Sequence, residues 1–135
     1  MPYIIGIVLA LAVSVYATAL RLDRDRAFYP TVLVVVASYY VLFAVMGGSG
    51  RLIVVESLIM GVFVLAASVG FRQSLWLVVA ALAAHGVQDV FHARLVANPG
   101  VPAWWPAWCL SYDVAAAGYL AWRLTQNPAP RVPVA

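Results

Sequence analysis

Long apolar stretches fill almost the whole chain and restrict it to membrane-spanning structure. About 20 residues of α-helix cross the hydrocarbon core of a bilayer, so 135 residues have room for about five crossings. The composition agrees, because 65% of the residues are hydrophobic and 10% are charged, whereas soluble domains have roughly 45–50% and 25%. The sequence therefore predicts an integral membrane protein, with no room for a soluble domain within these residues.

The predicted fold is an all-α bundle of about five transmembrane helices, separated by charged, glycine-rich or proline-containing segments. The spans are predicted at residues 2–20, 29–46, 52–69, 74–96 and 106–124. Residues 70–73 are expected to separate the third span from the fourth, and Pro106 is expected in the first turn of the fifth. The spans form one domain, residues 1–126, and the proline-rich residues 127–135 are predicted to be a disordered tail.

The arginines predict the orientation of the bundle. The chain has no lysine, and a bundle with its N-terminus outside puts six of its eight basic residues on the inner side. The inner arginines are then Arg21, Arg24, Arg26, Arg72, Arg123 and Arg131, and the outer ones are Arg51 and Arg94. Because basic residues favour the cytoplasmic side, we expect the N-terminus outside and the C-terminus inside. The predicted location is the cytoplasmic (inner) membrane of a bacterium, crossed several times.

Three ionisable side chains interrupt the fourth span: His85, Asp89 and His92. Offsets of four and seven residues place them within about 60° of one another on one helix face. Ionisable groups at membrane depth are costly and usually face a protein interior or a wet cavity, which indicates a functional site. The alternatives are a structural network of interhelical hydrogen bonds and, for His92 alone, a position at the membrane interface.

Two further carboxylates are predicted at a similar depth. Glu56 in the third span and Asp113 in the fifth lie, like Asp89, roughly 7–11 Å below the outer boundary at ~1.5 Å per residue. We therefore expect the third, fourth and fifth helices to bring their ionisable side chains together in the outer half of the membrane. The alternative is a structural role for Glu56 and Asp113, paired with Arg51 or Arg94.

Imidazole and carboxylate groups together are typical ligands of zinc, iron or manganese. The predicted ligands are His85, Asp89, His92 and Asp113, and zinc is favoured over iron or manganese. Asp113, Glu56 and Asp89 are the predicted catalytic residues, as a base on a metal-bound water or as proton carriers. The predicted substrate pocket comprises Tyr39, Tyr40, Cys109 and Tyr112. For Tyr39, Tyr40 and Cys109 the alternative is ordinary packing.

The residues from His85 to Asp113 resemble a family of small bacterial integral membrane proteins of unknown function. The resemblance covers about a fifth of the chain. Its pattern is His-Gly-x-x-Asp-x-x-His at residues 85–92, followed by Asn98, Pro99, Pro102, Pro106, Cys109 and Asp113. It implies that the histidines and aspartates form one functional unit. This chain departs from the family at Gln88, where Trp is usual, and at Ala93, where a second His is usual, which weakens any metal site that needs adjacent histidines.

These observations predict a metal-dependent membrane enzyme, a hydrolase acting on a lipid or another apolar molecule. A second hypothesis is a proton- or cation-coupled transporter or channel, in which the same groups bind the coupling ion. A third is a metal-free isomerase or cyclase that uses acid–base chemistry on an isoprenoid-like substrate. The implied partners are the lipid bilayer, an apolar small molecule and a second copy of the chain in a homo-oligomer. The net charge of +3 is attributed to topology, so no nucleic-acid partner is expected.

Overall fold

The structure, a computed structural model, describes residues 1–126, which form a bundle of five helices. The helices are α1 (Pro2–Ala19), α2 (Phe28–Met46), α3 (Gly50–Arg72), α4 (Leu75–Leu95) and α5 (Trp105–Gln126). These residues contain no β-strand. The predicted all-α class is confirmed, and the predicted tail at 127–135 lies outside the described residues.

Four of the helices, α1 to α4, are long and apolar enough to cross a membrane. Much of their surface is apolar and exposed; on α3, Leu58 is 69% and Val62 is 65% exposed. Burying such side chains is worth about 25 cal/mol per Å² in water, so their exposure fits a lipid environment. The helices therefore fit an integral membrane protein. The fifth helix has 22 residues but falls outside this set, because polar side chains such as Ser111 and Asp113 lower its hydropathy.

The third helix continues three residues beyond its predicted end, through Gly70 to Arg72. The sequence predicts Gly70 as part of a break between two spans, whereas in the structure it lies in α3 and contacts α4. A Cβ atom at Gly70 would overlap the side chain of Val78 on α4. Because Gly70 has no side chain, the two helices approach closely where they join. The segment that connects them consists of Gln73 and Ser74.

The packing of the helices leaves α1 and α2 apart. The fourth helix packs on α3 and α5, α2 packs on α3, and α1 packs on α5. The buried face of α1 consists of small residues, namely Gly6, Ala10, Ser14 and Ala17. Small residues let membrane helices pack closely, and a Cβ atom at Gly6 would overlap the Ser111 hydroxyl oxygen on α5. Because α1 packs on α5, it makes little direct contact with α2.

Candidate functional site

Four side chains from α4 and α5 form a buried cluster, which we call the central group: His85, Asp89, Cys109 and Asp113. Each is at most 1% exposed. One potential ligand atom from each residue lies within 4.8 Å of those of the other three. The group is therefore compact enough to hold a metal ion.

The central group follows from helix periodicity on two facing helices. His85 and Asp89 are four residues apart on α4, and Cys109 and Asp113 are four apart on α5, so each pair shares a helix face. Gly86 lets the two faces approach closely. A Cβ atom there would lie 3.3 Å from the Leu110 carbonyl oxygen and 3.4 Å from the Asp113 Cβ atom. A larger residue at this position would push the two pairs apart.

Direct contacts join the members of the central group. His85 Nδ1 lies 2.6 Å from Asp113 Oδ2, a hydrogen bond, and 3.8 Å from Asp89 Oδ2. The Cys109 thiol donates to Asp113 Oδ2 over 3.8 Å. Asp89 Oδ2 and Asp113 Oδ1 are buried and have no hydrogen-bond partner among the described residues. Buried polar atoms without partners are costly and rare, which makes these oxygens candidate ligand atoms.

Aromatic side chains from α2 and α3 enclose the central group. The Tyr40 hydroxyl donates a 2.5 Å hydrogen bond to Asp89 Oδ1. The edge of Phe63 meets the His85 ring, with centroids 4.8 Å apart and planes at 77°. Tyr40 thereby gives one oxygen of Asp89 a hydrogen-bond donor and leaves Oδ2 without a partner among the described residues.

A second buried cluster, which we call the outer group, consists of Glu56, His92 and Asn98. Glu56 Oε1 lies 2.9 Å from His92 Nε2 and accepts a 3.0 Å hydrogen bond from Asn98 Nδ2. Asn98 Nδ2 also donates to the Tyr40 carbonyl oxygen over 3.3 Å, and Asn98 Oδ1 accepts from the Gly100 N–H over 3.1 Å. The Tyr40 ring stacks on His92, with centroids 3.9 Å apart. Tyr40 therefore contacts both groups.

The structure divides the predicted ligand set between the two groups. It brings His85, Asp89 and Asp113 together, but it places His92 with Glu56, and Cys109 takes the fourth place in the central group. Glu56, a predicted catalytic residue, likewise lies in the outer group. Helix periodicity puts His92 on the same face as His85, but the seven-residue offset places it ~10 Å further along the helix axis. There its Nε2 atom meets Glu56 on α3.

Two contacts are not predicted by the sequence. Tyr40 is predicted only as part of a substrate pocket, whereas its hydroxyl hydrogen-bonds to Asp89. Asn98 is singled out only as part of the family pattern, whereas its side chain connects the segment between α4 and α5 to α2 and α3. The spacing of Cys109 and Asp113, one helical turn, was the signal that could have placed the thiol beside the carboxylate.

The predicted substrate pocket is also divided. Tyr39 and Tyr112 line a cavity of about 460 Å³ between α1, α2 and α5. Tyr40 and Cys109 do not line it and belong with the central group instead. A second cavity of about 480 Å³ lies under the connection between α4 and α5, with His92 and Asn98 in its wall.

Comparison of the chain with family models, curated proteins and solved structures gave no match. The function is therefore argued from the geometry of the two groups and the cavities.

Proposed function

We propose that the chain is a membrane enzyme that binds a divalent metal ion, zinc first, at the central group and hydrolyses an apolar or lipid-like substrate. The observation that carries the proposal is the set of four buried ligand residues whose ligand atoms lie within 4.8 Å of one another. Thiolate, imidazole and carboxylate are the ligands that zinc takes in proteins. Because a thiolate is among them, zinc is favoured over manganese.

The distances support this proposal. Zinc bonds of about 2.0–2.3 Å place tetrahedral ligand atoms roughly 3.3–3.8 Å apart. His85 Nδ1 and Asp89 Oδ2, two of the three ligand atoms proposed below, are 3.8 Å apart. The 2.6 Å separation between His85 and Asp113 is shorter, because it is a hydrogen bond. Metal binding would replace this hydrogen bond.

In a catalytic site, a bound zinc ion polarises the substrate and activates water. His85, Asp89 and Cys109 would hold the ion, which leaves the fourth position open as catalytic zinc sites require. Asp113 would then accept the proton of the attacking water, as a general base. Tyr40 would keep Asp89 in place through Oδ1.

A second candidate function is metal-free acid–base chemistry, such as isomerisation of an apolar substrate. The specific observation in its favour is the direct hydrogen bond between His85 Nδ1 and Asp113 Oδ2, at 2.6 Å, which lets the pair exchange a proton. The Tyr40 hydroxyl on Asp89 adds a second proton donor beside this pair.

We also propose that the bundle lies in the bacterial inner membrane with its N-terminus outside. Supporting this orientation, residues of the arginine-rich end contact one another: Arg123 pairs with Asp23 at 3.5 Å, and Arg26 donates to the Gly70 carbonyl over 3.4 Å. Reporter fusions at the two ends of the chain would test the orientation.

Metal content is the first experiment. We expect about one zinc per chain in detergent-purified protein after zinc addition and removal of excess metal. Asp89→Asn and Cys109→Ala should lose it while eluting as folded protein. Glu56→Gln is the matched control, because it changes a buried carboxylate of the outer group, and it should retain zinc. A wild-type protein that stays metal-free would overturn the metal proposal and favour the acid–base candidate.

A further inference from the structure

We infer that the cavity between α1, α2 and α5, here the lateral groove, binds the substrate, a molecule with one long hydrocarbon chain and a hydrogen-bonding end, such as a fatty-acyl ester or amide. The inference rests on the proposed function, and it adds the substrate class and the route of entry.

The groove exists because α1 packs on α5 rather than on α2. Its volume is about 460 Å³, within the roughly 300–1,000 Å³ of small-molecule sites. Leu9 on α1 and Val35 on α2 line it and are 42% and 47% exposed. The groove therefore opens sideways to the surface that faces lipid, where an apolar molecule would be supplied.

The walls of the groove suit a hydrocarbon chain. On α2, lining residues run from Phe28 to Tyr39, a distance of ~16 Å at 1.5 Å per residue. The apolar lining residues include Leu9, Val13, Phe28, Val32, Val35 and Val36. Apolar walls of this kind favour a hydrocarbon chain over more polar molecules, which would compete poorly for the site.

The two ends of the groove differ in polarity and orient the occupant. Tyr39 and Tyr112 lie at one end. The hydroxyls of Tyr40 and Tyr119 hydrogen-bond to protein side chains, whereas those of Tyr39 and Tyr112 make no hydrogen bond within residues 1–126 and can serve a ligand. At the other end Asp25 lines the groove, and its carboxylate already accepts a hydrogen bond from the Ala27 N–H. The polar end of the occupant therefore belongs at the tyrosines.

The tyrosine end of the groove lies next to the central group. Tyr39 precedes Tyr40, and Tyr112 precedes Asp113, so on each helix adjacent residues face the groove and the central group. The Tyr39 ring rests on Trp105, with centroids 4.7 Å apart. Rotation of the Tyr39 side chain would open this aromatic contact and admit the polar end of the substrate.

Photo-crosslinking with a diazirine fatty acid tests the groove directly. We expect crosslinks on the lining residues of α1 and α2, reduced several-fold by Val13→Trp and by Val35→Trp, which narrow the groove from opposite walls. The control is Val54→Trp on α3, because Val54 is similarly exposed, at 59%, but does not line the groove. Equal labelling in all variants, or labelling spread over α3, would overturn the inference.

Cys109 offers a second measurement, which needs no metal. With zinc removed by a chelator, an alkyl maleimide should modify the thiol several-fold faster in Tyr39→Ala and more slowly in Val35→Trp. With a charged, membrane-impermeant thiol reagent, the rates of modification in these variants should not follow this order. If they do, access comes from the aqueous side and the inferred route is wrong. Because neither readout depends on zinc, failure of the groove and failure of the metal site are distinguishable.

Discussion

The hydrogen bond from Tyr40 to Asp89 makes the sharpest prediction about the central group. Tyr40→Phe removes the hydroxyl that lies 2.5 Å from Asp89 Oδ1 but keeps the ring that stacks on His92. Asp89 Oδ2 already has no hydrogen-bond partner among residues 1–126, so in the variant both oxygens lack one. Any loss of zinc affinity or of stability in this variant then results from the missing hydroxyl and not from a change in the packing of the ring.

The magnitude follows from the two roles of this hydrogen bond. Removing a group that orients a metal ligand costs about 10- to 100-fold in metal affinity, which corresponds to about 1.4–2.8 kcal/mol. In the metal-free protein, leaving a buried oxygen without its donor costs about 1–3 kcal/mol of folding free energy. We therefore expect weaker zinc binding and a lower melting temperature of the metal-free form.

The assay is competition for zinc between a chelator and the protein in detergent, with thermal unfolding of the metal-free protein beside it. The matched control is Tyr39→Phe, because the Tyr39 hydroxyl lines the groove and lies outside both buried groups. We expect the control to bind zinc like the wild type. If Tyr40→Phe and Tyr39→Phe bind zinc equally well, then Tyr40 does not position Asp89 and the reasoning fails.

Three other predictions concern packing and the outer group. Gly86→Ala should lower the unfolding free energy by up to about 2 kcal/mol, because overpacking against α5 costs about 1–3 kcal/mol and alanine returns up to about 1 kcal/mol of helix propensity. Gly118→Ala, where a Cβ atom meets nothing within 4 Å among residues 1–126, should be neutral or stabilising by up to about 1 kcal/mol. Thermal unfolding distinguishes the two variants. Asn98→Ala should destabilise the protein by about 1–3 kcal/mol, because Glu56 loses a hydrogen-bond donor. The rate of hydrogen exchange should rise at residues 96–104, and unchanged exchange there would contradict this prediction. His92→Ala should lower the melting temperature yet keep zinc, as measured by elemental analysis, and loss of the metal would place His92 among its ligands.

The sequence was sufficient to predict the helices and three of the four members of the central group, His85, Asp89 and Asp113. Apolar stretches of about 20 residues predict helices whatever their neighbours are, because the backbone must satisfy its own hydrogen bonds in lipid. The four-residue spacing puts His85 beside Asp89 on any α-helix. The extension of α3 through Gly70 could not be predicted, since glycine breaks a helix in one context and admits a close neighbour in another.

The partners of the polar side chains were decided by the tertiary structure alone. Periodicity predicts which side chains share a helix face, but the rotation and neighbours of each helix determine what that face meets. His92 shares the face of His85, yet it meets Glu56 because α3 packs there. Tyr40 reaches Asp89, and Asp113 reaches His85, because α2 and α5 pack against α4 at this level. These contacts join residues up to 49 positions apart in the chain, and local periodicity carries no information across that distance.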